Sequence, residues 1–426
     1  MTNKEITLHY ILVVMVLVFE VTVFFLAMES PIRRLISLIP FIILFILFIN
    51  RIGIREIEFS FISVVIFVIV LILIQGYFFG FSLMTVVTYP LYVLFIPYLL
   101  YKIIGIRIFK YLLNVIYYTA IIASAIWLLQ VVVSPFNDLF QHLRLSSGIP
   151  FIRGDEFNNR VSIAFFYTIS HWKVDVLGVG ILRNSGLYHE PGAFAYFLII
   201  AIGINTILQQ NIMNNKNIIM IIMIITTFST AGYLALFVLL VFMIIDSNIH
   251  GGIKIFLIPS IIVLIFISYT QIDFMQDKIV ASYEDQRLTQ VDGEIVFEGG
   301  RGRVWRMESA INLLSTSPLI GRGIITAARD FEPGSPYYFT GAGIWRTLAS
   351  YGLLFAPLLY LMYYAGIRKL CVAYNYNAAF AVFFFIAIAI GATSQRFFMD
   401  SITILFFIHG LITPYLQINN TVDDYD

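Results

Sequence analysis

Arg183-Asn-Ser-Gly-Leu-Tyr-His-Glu-Pro-Gly-Ala-Phe-Ala195 gathers a cation, an imidazole and a carboxylate just ahead of a long apolar run. Pro191 opens that run. Proline suits the first turn of a helix, where the N–H it lacks would have no partner. It also holds Glu190 extended. The run continues to about residue 209, close to the roughly 20 residues that cross about 30 Å of hydrocarbon. Polar groups at the mouth of a span are costly to place and more often functional than decorative. The stretch therefore reads as a polar cluster at the entrance of a transmembrane helix, and the rest of the chain follows that pattern.

Composition agrees. The chain is 60% hydrophobic and 12% charged, with a mean hydropathy of +0.90. These values exclude an ordinary soluble domain. A lipid-facing barrel would show short alternating segments instead. The expected fold class is all-α: a polytopic helical membrane protein with about twelve transmembrane helices and two long extracytoplasmic loops containing short helices. Spans are predicted near 8–28, 35–50, 58–79, 83–102, 109–133, 191–209, 217–230, 232–246, 253–271, 342–366, 377–394 and 398–417. This divides the chain into a five-span bundle (1–133), a first loop (134–190), a four-span core with a short helix pair (191–271), a second loop (272–341) and a three-span segment with a tail (342–426). The first apolar run is too long for a removable signal peptide and lacks a small-residue cleavage site. The net charge of +1 gives no pointer to nucleic acid, and the single cysteine, Cys371, rules out a disulfide framework.

The stretch 217–245 is long for one span and short for two, and Ser229-Thr230-Ala231-Gly232 within it suggests a break. With the N-terminus inside, the short inner loops carry Arg51, Arg55, Lys102, Arg107, Lys110, Lys216, Lys254, Arg368 and Lys369. The outer ones carry only Arg33, Arg34 and Arg396. This bias favours both termini inside and two helices in 217–245. The first outer loop is expected to hold a short amphipathic segment near 140–145, with turns at 148–150 and 153–155. The second turns at 292–293 and 299–302, and a helix follows from Arg303 to about Ser315. Val304, Met307, Ile311 and Leu314 form its apolar stripe.

The helix that begins at Pro191 points its positive dipole end at the outer face, with Arg183 just upstream. That arrangement suits an anion, with Glu190 as a base and His189 as second choice. The plainer alternative is that Glu190 caps its own helix while Arg183 pairs with it or with headgroups. The second loop is rich in arginine: Arg301, Arg303, Arg306, Arg322 and Arg329, with Arg346 just beyond. Guanidinium groups bind phosphate in a bidentate manner that lysine cannot match. Singly, each could instead reach headgroups or pair with Glu308, Asp330 or Glu332. Arg396, at the turn between the last two spans, is a further candidate ligand. Glu20 lies within the first span and reads as a protonated or hydrogen-bonded group, with a proton pathway as the sharper alternative. His189-Glu190 does not extend to His-Glu-x-x-His, and no phosphate loop, dinucleotide fingerprint or nucleophile elbow is present. No metal and no cofactor is expected.

The layout resembles the O-antigen polymerase and ligase superfamily of bacterial envelope polysaccharide synthesis. Three segments carry the resemblance: Arg183-Asn-Ser-Gly-Leu-Tyr-His-Glu-Pro-Gly, then Thr227-Phe-Ser-Thr-Ala-Gly-Tyr, then Gly302-Arg-Val-Trp with Pro318-Leu-Ile-Gly-Arg-Gly. They span 183 to about 355; the N-terminal spans match only in number and hydropathy. Ligases of this group carry a histidine and asparagine ahead of a glycine in the following span, where this chain reads Gly341-Ala342 ahead of Gly352. That departure favours a polymerase over a ligase, and the absence of paired halves argues against a transporter. The resemblance implies transfer of a growing chain from undecaprenyl pyrophosphate to a hydroxyl of an incoming lipid-linked repeat unit. Arg183, Arg303, Arg301, Arg306, Arg322 and Arg396 would then hold pyrophosphate, with interfacial anchoring as the alternative for Arg396; Glu190 or His189 would act as base, and Tyr188 and Trp305 would stack on sugars or, as aromatics at an interface more commonly do, anchor the chain there. Implied partners are the lipid-linked oligosaccharide and the growing polysaccharide, a chain-length regulator and a flippase.

Overall fold

The run that begins at Pro191 becomes a helix, Pro191–Gln209, buried along nearly its whole length. The computed structural model describes residues 2–21, 30–79, 86, 89–133, 136, 162–163, 167–168, 173–176, 179–188, 190–246, 289–291, 294–296, 303–323, 343–393 and 401–412. Its helices are α1 (Asn3–Val21), α2 (Ser30–Arg51), α3 (Phe59–Phe79), α4 (Ile96–Ile104), α5 (Ile108–Val132), α6 (Pro191–Gln209), α7 (Asn215–Thr226), α8 (Thr230–Asp246), α9 (Arg303–Thr316), α10 (Gly343–Ala373), α11 (Phe380–Ala392) and α12 (Ser401–Ile412). A π turn, Leu91–Phe95, leads into α4. Four helical stretches are long and apolar enough to cross a membrane: Phe59–Phe79, Leu91–Val132, Pro191–Gln209 and Gly343–Ala373. Shorter apolar helices accompany them.

A helix that is apolar on all sides belongs in the middle of a bundle. Accordingly α5, α7, α8 and α11 pack around α6, and Tyr196 of α6 shares a 2.8 Å hydrogen bond with Thr403 of α12. In an apolar solvent, close packing and buried hydrogen bonds do the work that water would otherwise drive. The crossing of α10 and α12 illustrates this. A Cβ on Gly366 would come within 1.8 Å of the Phe406 carbonyl oxygen, so only glycine lets the two backbones approach.

The segment 217–245 forms two helices rather than one tilted helix. Asn205 near the end of α6 donates to Asn214 Oδ1 (2.7 Å) and Asn217 Oδ1 (2.8 Å), and Asn217 donates to Thr206 Oγ1 (2.9 Å). So α7 begins where α6 ends. Asp246, ending α8, accepts from Asn377 at 2.6 Å. Tyr374, in the same turn, accepts from Gln210 just after α6. Both outer ends of the α7–α8 pair thus lie at one end of the bundle, and the chain reverses between them. The reversal falls at 227–229, slightly earlier than the expected 229–232, with Phe228 at φ 47.

One expectation is extended and one needs correction. The first loop carries antiparallel ladders, which the sequence reading did not include: Ser162–Ile163 with Tyr167–Thr168, and Lys173–Val176 with Val179–Leu182. The second carries Thr289–Val291 with Glu294–Val296 ahead of α9. Alternating valines on either side of Gly178 carry the usual hairpin signal. The face of α9 is also rotated from the expected stripe. Ala310 and Leu313 are buried against Ala349 of α10, while Ile311 is 42% exposed. The small Ala310 lets α10 approach, which a reading based on bulky residues overlooks.

The expected span near 253–271, the segment near 140–145 and the turns at 148–150, 153–155, 292–293 and 299–302 lie outside the described residues, as does the Glu20 side chain.

Candidate functional site

Two helix breaks organise the polar groups. At the first, the loop ahead of α6 is tied to the reversal between α7 and α8. The Asn184 backbone N–H donates to the Thr226 carbonyl (3.0 Å). The Asn184 side chain donates to Ser124 Oγ and Thr226 Oγ1, both at 3.1 Å, and accepts from the Gly186 N–H at 3.0 Å. Such a local bond closes a tight turn, as asparagine side chains commonly do. Arg183 donates from Nε to the Thr227 carbonyl (3.1 Å) and from Nη2 to the Phe228 carbonyl (3.0 Å). A cation on the last carbonyls of a helix offsets the negative end of its dipole. Trp127 of α5 donates to the Leu182 carbonyl at 2.8 Å and fixes the approach to this turn.

Glu190 sits at the N-cap of α6 in an extended conformation, φ −145 and ψ 149, as Pro191 requires. Its carbonyl accepts from Ala193 and Phe194, both at 3.1 Å. Its side chain makes no capping bond to its own helix. Arg183 and Glu190 therefore flank one short, well-tied loop, half-buried at both ends.

Tyr188 changes role. Its ring is 1% exposed and stacks on Phe197 at 4.6 Å and on Phe194 at 5.8 Å. It belongs to the core and offers no face to a sugar. Burial pushes its phenol far above the usual range. Among the described residues its hydroxyl has no hydrogen-bond partner, and neither does that of Ser185.

At the second break, α10 is interrupted at Gly352, with φ 69 and ψ 179. The loop 317–323 fits into that gap. Arg322 and Gly323 donate their N–H groups to the carbonyls of Ala349 (2.9 Å) and Ser350 (3.0 Å). Leu353 and Leu354 donate to Pro318 (2.7 Å) and Leu319 (3.1 Å). Gln75 of α3 clamps both strands of this contact, donating to Ile320 O at 2.6 Å and Ser350 O at 2.8 Å. A Cβ on Gly352 would lie 2.3 Å from the Leu319 oxygen, so the junction demands glycine there. The Arg322 guanidinium lies 5.5 Å from the Phe79 ring centroid. The Tyr89 and Tyr351 hydroxyls share a hydrogen bond near this break.

Of the remaining sequence-derived candidates, His189, Arg301 and Arg396 lie outside the described residues. Arg303, Trp305 and Arg306 start α9, and their side chains lie outside the described residues. Asn184, Gln75 and the helix break at Gly352 were not singled out from sequence. A lone glutamine in an apolar span was the available signal for Gln75. Among the described residues no three of His, Cys, Asp and Glu lie together. No family model, no curated protein and no solved structure matches this chain.

Proposed function

We propose that the chain polymerises lipid-linked oligosaccharide repeat units on the outer leaflet of a bacterial cytoplasmic membrane, building O-antigen, capsule or another exopolysaccharide. It would cross the membrane about twelve times, with both termini in the cytoplasm and both loops outside. A hydroxyl oxygen of the incoming unit attacks the anomeric carbon of the chain. The bond from that carbon to undecaprenyl pyrophosphate breaks, the pyrophosphate leaves with the bonding electrons, and the hydroxyl proton passes to a base. Such a reaction needs cations where charge develops on the leaving group and a base at the attacking oxygen. It uses no nucleotide sugar.

One observation carries this reading. Segments 183–190 and 227–233, both part of the pattern that carries the resemblance, meet through Arg183 although about forty residues separate them. Arg183 brings its charge to the point where two helix ends converge. Glu190, whose side chain is not used to cap its own helix, is the base. Arg303 is the partner cation from the second loop.

In cells, Arg183→Ala or Arg303→Ala should abolish long polysaccharide while single lipid-linked units accumulate. A normal chain-length ladder in either variant removes that residue from the site.

A further inference from the structure

We propose that Ser124 and Trp127 of α5, together with Asn184, form a platform that positions Arg183 for the transfer reaction. The role in the reaction rests on the polymerase reading. It gives a task to α5, a helix that carries none of the segments of the resemblance.

Arg183 is gripped through the residues on either side of it. Before it, the Leu182 carbonyl accepts from Trp127 Nε1–H at 2.8 Å. After it, the Asn184 amide donates to Ser124 Oγ at 3.1 Å. Ser124 and Trp127 are three residues apart in α5 and so share one face of that helix. Both anchors therefore come from one rigid element, and the Arg183 backbone is held between them.

Asn184 is fully buried and makes a second attachment. Its backbone N–H donates to the Thr226 carbonyl at 3.0 Å, and its amide donates to Thr226 Oγ1 at 3.1 Å. Its side-chain oxygen accepts from the Gly186 N–H, which leaves the amide nitrogen to face Ser124 and Thr226. The last carbonyls of a helix lack partners within it. At the end of α7, Asn184 takes the carbonyl of Thr226, and Arg183 takes those of Thr227 and Phe228.

A long, flexible cation stabilises developing charge well only if its place is fixed before the reaction. Here the guanidinium end is tied to the α7–α8 reversal and the backbone end is tied to α5. Ser124, Trp127 and Asn184 act through Arg183, so they are positioning residues. Displacing such a group by about 1 Å costs about a hundredfold in rate.

The test uses the full-length chain in proteoliposomes. Labelled undecaprenyl-pyrophosphate-linked repeat units are the probe, and initial rates of linkage formation are referred to folded protein. Asn184→Asp keeps the shape and the bond from Gly186 but loses both donated amide bonds. Trp127→Phe keeps an aromatic ring and loses the N–H. Each should lower kcat by about tenfold or more while KM stays within about twofold. Ser124→Ala should lower kcat less, although alanine favours the helix. Ser124→Thr, which keeps the hydroxyl, should recover most of that loss. Added to Arg183→Ala, neither Asn184→Asp nor Trp127→Phe should lower the residual rate further.

Parent kcat in both Asn184→Asp and Trp127→Phe overturns the proposal. So does a rise in KM at unchanged kcat, or a further loss of about tenfold on top of Arg183→Ala. If Asn184→Asp does not fold, Trp127→Phe and Ser124→Ala carry the test. Parent kinetics in these variants, from a parent that polymerises, sinks the platform and leaves the polymerase reading intact. A parent that forms no polymer sinks that reading instead, and the platform is then read by unfolding. Arg183→Ala should shift the midpoint less in Trp127→Phe than in the parent, and equal shifts would overturn it.

Discussion

The Arg183 Nε–H donates to the Thr227 carbonyl oxygen at 3.1 Å, across a gap of 44 residues in sequence. With the neighbouring bond to Phe228, it makes the guanidinium a clamp on the α7–α8 reversal as well as the proposed charge. Charge-assisted hydrogen bonds contribute about 1.5–3 kcal/mol each, so Arg183→Ala should destabilise by about 2–4 kcal/mol. Arg183→Lys, which can keep one of the two bonds, should lose about half of that. Thermal unfolding in detergent reads both. An unchanged midpoint in the alanine variant would mean that the clamp contributes nothing.

Tyr188 separates packing from chemistry. Its ring is stacked in the core and its hydroxyl is buried without a partner among the described residues. Removing an unsatisfied buried hydroxyl is neutral or stabilising. Tyr188→Phe should therefore unfold at or above the parent midpoint and keep polymer length, whereas Tyr188→Ala should cost about 3–5 kcal/mol. Loss of polymer in a stable Tyr188→Phe variant would restore a chemical role for the hydroxyl.

Asn217 donates to Thr206 Oγ1 and to the Ile212 carbonyl, accepts from Asn205, and is fully buried. Partly satisfied networks are worse than apolar packing, so Asn217→Ala should destabilise by about 2–4 kcal/mol. A double-mutant cycle with Asn205→Ala should show coupling, because the two side chains share one bond. Additive losses would contradict the network.

Much of this architecture was legible in the sequence because apolar length and helix punctuation are local signals. Pro191 marks the start of α6, and Ser317-Pro318 marks the end of α9. The Gly352 break was missed because one glycine inside an apolar run looks the same whether it is packed in a helix or left-handed. Its reason lies in the loop 317–323, about thirty residues earlier in the chain. Tyr188 read as a ligand for a similar reason: an aromatic beside polar residues gives no sign of facing Phe197. The tie between Arg183 and Thr227 is non-local and could not be read from either segment alone.

Gly352→Ala tests that break. A positive φ with ψ near 180° is open essentially to glycine and costs another residue about 1–3 kcal/mol, before the clash with the Leu319 carbonyl is counted. The variant should unfold earlier and expose the loop 317–323 to protease. Parent-like protection would show that the loop is held elsewhere.

The most direct test of the central claim is reconstitution of the purified chain in proteoliposomes with undecaprenyl-pyrophosphate-linked repeat units and no nucleotide sugar. The account predicts glycan longer than two units, with one undecaprenyl pyrophosphate released for each linkage formed. Repeat units recovered unchanged, or moved across the bilayer intact, would contradict it.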